Sequence, residues 1–184
     1  MFSFISRQFC AVLLLTSLTT FGAAVHAESK AALERSSFQA LSALIKENPT
    51  ANTLNDKAIA VLVFPKVTKA GLIVGGQYGE GVLWRDGKAV GFYNTTGASV
   101  GFQAGAQEYG YALFFMKDSA LKAIDTAQGF EVGVGPSIVV MDKGIAASKT
   151  TITMQDDIYA FIFEQRGLMA GLGIQGNKIT KIDK

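Results

Sequence analysis

Hydrophobic and polar positions follow two different patterns along the chain, and the first of them predicts a helical lead. Between Ser29 and Asn48 the apolar residues recur every three or four positions, as in an amphipathic helix. Ser29 suits the N-cap, and Asn48-Pro49 ends the helix because a residue before proline avoids the α region. We expect one further helical turn at 53–57, so that residues 28–57 form the lead.

From residue 58 onward the pattern changes to short apolar runs separated by glycine and turn residues. Asp86-Gly87 is a type I′ hairpin signal, which predicts that Gly81–Trp84 pairs with Ala89–Tyr93. Asp118 is expected to cap a short helix, Ser119–Ala127. Further predicted strands include Gly97–Gln107 paired with Tyr109–Met116 around a bend at Glu108, Thr150–Met154, and Leu168–Gln175 paired with Lys178–Ile182.

Together these patterns predict an α+β, mainly β fold. We expect a compact antiparallel β-sandwich or small barrel of about ten short glycine-rich strands, with an N-terminal amphipathic helix and a short mid-chain helix. Glycine in a strand normally weakens it, unless the sheet bends sharply or something approaches the backbone closely. The glycine-rich segments 71–81, 97–107, 131–136 and 167–176 therefore indicate a tightly curved β core at 58–184.

The first 27 residues have the pattern of a secretory signal peptide. One early cation, Arg7, precedes an apolar run, and Val25-His26-Ala27 is a small-x-small cleavage site. We expect cleavage after Ala27, which leaves residues 28–184 as a single exported, periplasmic domain. An uncleaved anchor helix is the alternative, although the apolar run is short for a membrane span. Cys10 lies far upstream of the cleavage point, so we do not expect a lipoprotein.

Cleavage would remove the only cysteine and the only histidine of the chain. The domain would then lack a Cys/His zinc site and a Ser-His-Asp or Cys-His nucleophile, so we expect neither an enzyme nor a metal or cofactor. The formal net charge is only +2 and no basic run occurs, which argues against nucleic-acid binding. Because 49% of the residues are hydrophobic, we expect either a large core or an apolar surface with a purpose.

Two sets of residues are candidates for a binding surface. The first is a set of cations that would meet anionic phosphate groups: Lys66, Lys69, Lys143, Lys149 and Arg166. The second is the apolar face of the first helix, which would meet a membrane or a partner: Leu33, Phe38, Leu41, Leu44 and Ile45. Two other interpretations stay open, because the cations could be scattered solvated charges and the helix could cover the sheet.

Several segments between residues 58 and 184 resemble, in their order, those of the SYLF domain family. They are Ala60–Lys66, Lys69–Gly76, Gly79-x-Gly81-Val82, Gly97–Gln107 and Arg166–Gly176. The resemblance implies a non-catalytic phospholipid-binding module, and eukaryotic members of the family bind phosphoinositides and in some cases actin.

We therefore expect a periplasmic domain that associates peripherally with anionic phospholipids. The cations would attract the lipid, helped by apolar insertion of the first helix or nearby loops. The alternatives are a small integral outer-membrane β-barrel and a structural or protein-interaction domain without lipid binding.

Overall fold

The computed structural model describes residues 28–71, 74–100, 105–126, 129–132, 134–141, 155–167 and 176–184. The helices are α1 (Lys30–Glu47), α2 (Pro49–Asn55) and α3 (Asp118–Ile124). The strands are β1 (Ala60–Gly71), β2 (Val74–Arg85), β3 (Lys88–Val100), β4 (Gly105–Phe115), β5 (Phe130–Glu131), β6 (Ile138–Met141), β7 (Ile158–Gly167) and β8 (Lys178–Ile182).

The boundaries of the two helices in the helical lead coincide with capping residues. Ser29 is the N-cap of α1, and its side chain accepts a hydrogen bond from the backbone N–H of Ala32. Asn48 ends α1 and caps α2, because its side chain accepts hydrogen bonds from the N–H groups of Thr50 and Ala51 at 3.0 and 3.1 Å. The predicted first helix is confirmed. The second begins at Pro49 rather than at residue 53, since Asn48 supplies its cap and proline suits the first helical position.

The described strands form one eight-stranded sheet, ordered β5-β8-β3-β2-β1-β4-β7-β6, which curls as a half-barrel. The predicted α+β, mainly β fold class is confirmed. Neighbouring strands are antiparallel, as predicted, except for the parallel pair β6–β7. β1 to β4 and β7 are 10 to 13 residues long and thus longer than predicted, because glycines that were expected to mark strand ends lie inside the strands.

Two of the predicted turns have different outcomes. The Asp86-Gly87 hairpin is confirmed: both residues have positive φ, and Gly81 pairs with Tyr93 as expected. The bend predicted at Glu108 is wrong, because β4 runs straight through that residue and is separated from β3 in the sheet by β2 and β1.

The other local predictions fall at the mid-chain helix and the C-terminal strands. α3 begins at Asp118 itself, and its N-cap, Lys117, makes no side-chain cap. Lys178–Ile182 is confirmed as β8, whereas Thr150–Met154 and Leu168–Gln175 lie outside the described residues.

Each face of the sheet carries an apolar cluster, because successive strand residues point to opposite faces. The α1 face is covered by α1 and α2 and includes Val61, Val63, Ala112, Phe114, Tyr159 and Phe161. The α3 face is covered by α3 and includes Leu62, Phe64, Val67, Tyr109, Tyr111, Leu113 and Phe115. A β-bulge in β1 interrupts this alternation once, so that Phe64 and Val67 both lie on the α3 face although they are three positions apart.

Candidate functional site

Helix α1 lies on the sheet rather than apart from it. Leu33, Ser37, Ala40 and Leu44 are buried at helical spacing against the strands. The buried Ser37 hydroxyl accepts a hydrogen bond from the Trp84 indole at 2.8 Å, so even the polar residue of this stripe is satisfied. The helix therefore covers the sheet, which is one of the two interpretations that the sequence left open.

In that position, the five residues predicted to form a membrane or partner face differ in how far they are exposed. Leu33 and Leu44 are buried in the protein and Leu41 packs partly against the α1-face cluster, so these three do not form an exposed surface. Ile45 is half-buried. Phe38 is 54% exposed, with its ring 5.7 Å from that of Trp84. The predicted face is corrected accordingly, because its main stripe is used for packing.

The most exposed uncharged part of the sheet is the end at which the glycines concentrate. We call residues 70–71, 74–79, 95–100 and 105–107, with Gly167, the glycine-rich end; register joins Gly71 to Gly75 and Gly105. No charged residue occurs at 70–79 or 89–107. Val74 is 67% exposed, and Tyr78, Ala70, Ala98 and Ala106 are also exposed. The strands thus extend beyond the core as a small-residue, weakly apolar edge.

Three of the five predicted lipid-binding cations border this end, but on two faces. Lys66 points to the α1 face, where its ammonium lies 2.6 Å from the Glu108 carboxylate. Arg166 of β7 stands directly opposite Glu108 and is exposed. Lys69 points to the α3 face, because it lies three positions after Lys66 on the same strand. Lys143 and Lys149 lie outside the described residues.

On the α3 face, the strand register aligns a row of polar side chains across the glycine-rich end. Lys69 of β1 is directly opposite Gln77 of β2 and Gln107 of β4. Gln77 is opposite Gly97 of β3, and the side chain of Asn177 lies over that glycine, where an added Cβ would be 2.8 Å from its Oδ1 atom. We call Asn177, Gln77, Lys69 and Gln107 the polar row. Sequence reasoning missed it, because only the register brings these distant positions together.

Several polar atoms in and below the polar row have no hydrogen-bond partner in the part of the chain that the structure describes. The Tyr109 hydroxyl donates to Gln77 Oε1 at 3.1 Å, which leaves the Gln77 Nε2 group unpaired. The other unpaired buried atoms on this face are Asn177 Nδ2, Gln107 Oε1, Thr95 Oγ1 and the Tyr111 hydroxyl oxygen. Burial raises the pKa of Tyr109 and of Tyr111, so both phenols stay protonated at neutral pH.

Elsewhere, polar groups form specific pairs that stabilise the fold. Tyr93 donates to Asp125 at 2.6 Å, and Lys181 lies 3.1 Å from the same oxygen. Burial alone would raise the pKa of Asp125, but the hydrogen bonds from Tyr93 and Lys181, together with the lysine charge, lower it overall. These contacts fasten α3 to β3 and β8.

A second network lies on the α1 face at the glycine-rich end. The buried Lys184 ammonium is 2.5 Å from Glu80 and also donates to the carbonyl of Glu28, while Tyr78 donates to Glu80 at 2.8 Å. Burial, then the hydrogen bond to Glu80 and its charge, raises the pKa of Tyr78 to about 12. The Tyr78 ring is therefore fixed by its hydroxyl although part of it is exposed.

We expect Tyr111→Phe to increase the free energy of unfolding by about 1 kcal/mol, because it removes a buried hydroxyl that makes no well-formed hydrogen bond within the described residues. Tyr93→Phe is the matched control. It removes a hydroxyl that donates to a carboxylate, and should lower the free energy of unfolding by about 1 kcal/mol. Urea denaturation of both variants measures the difference. Equal losses at the two positions would show that the Tyr111 hydroxyl is satisfied in solution.

Comparison with known protein families gives a match to one of them. Residues 96–184 match the model of the Ysc84 family, described as Las17-binding protein actin regulator. The match includes Gln107, Arg166 and Asn177, whereas Lys66, Lys69 and Gln77 precede it. No curated protein is similar enough to the chain to count as a match. Among the described helices, none is long and apolar enough to cross a membrane.

The description of the matching family concerns binding and regulation rather than a reaction. It agrees with the resemblance seen in the glycine-rich segments of the sequence, and the predicted family is confirmed. Residues 96–184 of the chain belong to the Ysc84 family of SYLF domains, a family of binding modules.

Proposed function

We propose that this protein is an exported, non-catalytic domain that binds peripherally to anionic phospholipid through the glycine-rich end of its sheet. One observation carries the proposal: this end is exposed and uncharged, and cations border it on both faces. Lys66 and Arg166 lie on the α1 face, and Lys69 lies on the α3 face. The periplasmic location rests on the signal peptide expected at residues 1–27, which lie outside the described residues.

The glycine-rich end is suited to the interface of a bilayer because its backbone groups pair with one another. At membrane depth an unpaired N–H or C=O group costs several kcal/mol, as a rough figure. Here β1 pairs with β2 and β4 out to Gly71, and β2 pairs with β3 out to Val74. Exposed Ala70, Val74 and Ala98 would enter the interface on strands that are each paired with a described neighbour.

The cations would attract the protein to the anionic membrane surface but would not insert into the bilayer. Each lysine or arginine near an anionic surface contributes about 1 kcal/mol, and this falls with added salt. Lys66 is already paired with Glu108, which reduces its contribution, whereas Lys69 and Arg166 make no ion pair within the described ranges. A modest, salt-sensitive attachment is the expected result.

Co-sedimentation of the purified protein with vesicles tests the proposal. We expect pelleting with phosphatidylglycerol-containing vesicles at low salt and little pelleting with phosphatidylcholine vesicles or at high salt. Val74→Asp should weaken vesicle binding about tenfold, because it loses the apolar contact and adds an anion at the interface. Val90→Asp is the matched control, since Val90 is 52% exposed on β3 near the opposite hairpin, and it should bind as the wild type does.

Three results would contradict the proposal. Absence of pelleting with anionic vesicles at low salt would exclude surface binding and favour a protein partner, in keeping with the family description, which names Las17 binding. Equal losses for Val74→Asp and Val90→Asp would show that the glycine-rich end is not the contact. Recovery of the protein in the cytoplasmic fraction, with residues 1–27 still attached, would contradict the proposed export.

A further inference from the structure

We propose that the polar row on the α3 face (Asn177, Gln77, Lys69 and Gln107) is a binding site for one phosphodiester group, the headgroup phosphate of a phospholipid. This inference rests on the proposed function and specifies the ligand of the same end of the sheet. A free glycerophosphodiester presents the same chemistry without a membrane, so the two sources can be separated by experiment.

Three members of the row lie on the adjacent strands β2, β1 and β4, and the fourth, Asn177, directly precedes β8. Directly opposite residues of neighbouring strands have Cβ atoms about 5 Å apart, so Gln77, Lys69 and Gln107 line up on one face. Asn177 precedes β8, and Gly97 gives it the space to reach Gln77: a Cβ at that position would be 2.8 Å from Asn177 Oδ1 and 3.0 Å from Gln77 Nε2. A glycine between two amides thus lets both side chains meet on the same face.

The unpaired atoms of the row are those that an oxyanion needs. Gln77 Nε2 is a buried N–H donor without a partner in the described part of the chain, and Gln77 Oε1 accepts from Tyr109. Asn177 Nδ2 is also buried and approaches the Tyr109 hydroxyl, but it makes no well-formed hydrogen bond within the described residues. A buried polar group without a partner is costly to the fold, so two such donors side by side indicate a ligand that completes them. Gln107 Oε1 is an unpaired acceptor in the same row and suits a hydroxyl of the headgroup.

The charge of the row matches a singly charged anion. Lys69 is its one cation, and the other members are neutral amides. The two acidic residues closest in register, Glu80 and Glu108, point to the α1 face, where each is paired with a lysine. One positive charge with neutral donors fits a phosphodiester, which carries a single negative charge, better than a phosphomonoester, which carries nearly two at neutral pH.

The alternation of the strand provides a matched pair of variants. Lys69→Gln and Lys66→Gln remove the same charge from the same strand, on opposite faces. We expect Lys69→Gln to weaken phosphodiester binding about tenfold or more, the effect of losing a charge-assisted hydrogen bond. Lys66→Gln should weaken it much less, because Lys66 lies on the opposite face and is already paired with Glu108. Gln77→Glu, which keeps the size of the side chain, should abolish binding because it places an anion in the row.

The readout is the chemical shift of the side-chain NH2 groups in two-dimensional NMR spectra. The purified protein is titrated with short-chain phosphatidylglycerol below its micelle concentration, and separately with glycerophosphoglycerol. Saturable shifts of the Gln77 and Asn177 amides with both ligands would support a site for the phosphodiester itself. Such shifts with the short-chain lipid alone would support a site that also requires the acyl chains.

The inference fails if neither ligand shifts these amides, or if Lys69→Gln and Lys66→Gln weaken binding equally. These outcomes are separate from those of the vesicle experiment. A protein that pellets with anionic vesicles but shows no shift at Gln77 and Asn177 retains the proposed function and loses the polar-row site. A protein that shows the shifts but never pellets retains the site and loses the membrane contact.

Discussion

Replacing Phe114 by alanine is expected to lower the free energy of unfolding by about 4 kcal/mol, because the change removes a large side chain from the centre of a packed cluster. Phe114 lies on β4, is 0% exposed, and packs its ring edge to face against Phe161 at 5.4 Å. Its cluster also contains Ala40 and Leu44 of α1, so the cavity would loosen the contact between helix and sheet. Urea denaturation followed by circular dichroism measures the loss.

Phe38→Ala is the matched control for this substitution. The chemical change is the same, but Phe38 is 54% exposed and contacts Trp84 from the surface of α1. We expect it to cost no more than about 1 kcal/mol. If the two variants were equally stable, the α1 face would not be packed as the structure describes. A loss of 4 kcal/mol is a large part of the 5–15 kcal/mol, roughly, that keeps a domain of this size folded.

The first helix and the first hairpin could be predicted from sequence because local chemistry determines them. Ser29 and Asn48 each satisfy backbone N–H groups within a few residues of themselves, and Asp86-Gly87 adopts the positive φ values that its turn needs. None of these features depends on which strands lie side by side. Their boundaries in the structure therefore follow the sequence closely.

The candidate site depends on strand register, which the sequence does not reveal. Lys66 and Lys69 are close in sequence and were grouped as one patch, but an odd separation along a strand places them on opposite faces. Gln77 and Gln107 are far apart in sequence, yet both are directly opposite Lys69. The polar row could be found only once β1 was known to lie between β2 and β4.

The glycines of β2 explain why the strands are long where short ones were predicted. Gly81 and Gly79 lie beside the bulge of β1, where Phe64 and Val67 turn their side chains onto the α3 face. The absence of a Cβ on β2 leaves the space that these two side chains fill. Glycine at these positions is thus a packing requirement of the neighbouring strand and not a sign that the strand ends.

Gly81→Ala is accordingly expected to lower the free energy of unfolding by about 3 kcal/mol, the effect of overpacking a tight core. The new Cβ would lie 2.6 Å from Cδ1 of Phe64 and 2.7 Å from the carbonyl oxygen of Val63. The Phe64 ring has little freedom to move, because it is fully buried and stacks on Tyr111 with ring centroids 4.6 Å apart. The strand itself would have to shift at the bulge.

Gly76→Ala on the same strand is the control, since its Cβ would be 3.9 Å from the nearest atom, the carbonyl oxygen of Gly97. That variant should unfold at the same urea concentration as the wild type or slightly higher, because alanine restricts the unfolded chain by up to about 1 kcal/mol. Parallel urea titrations distinguish the two positions. If Gly76→Ala were as destabilising as Gly81→Ala, the glycines of β2 would serve backbone flexibility along the whole strand, and the packing of Phe64 and Val67 would not explain them.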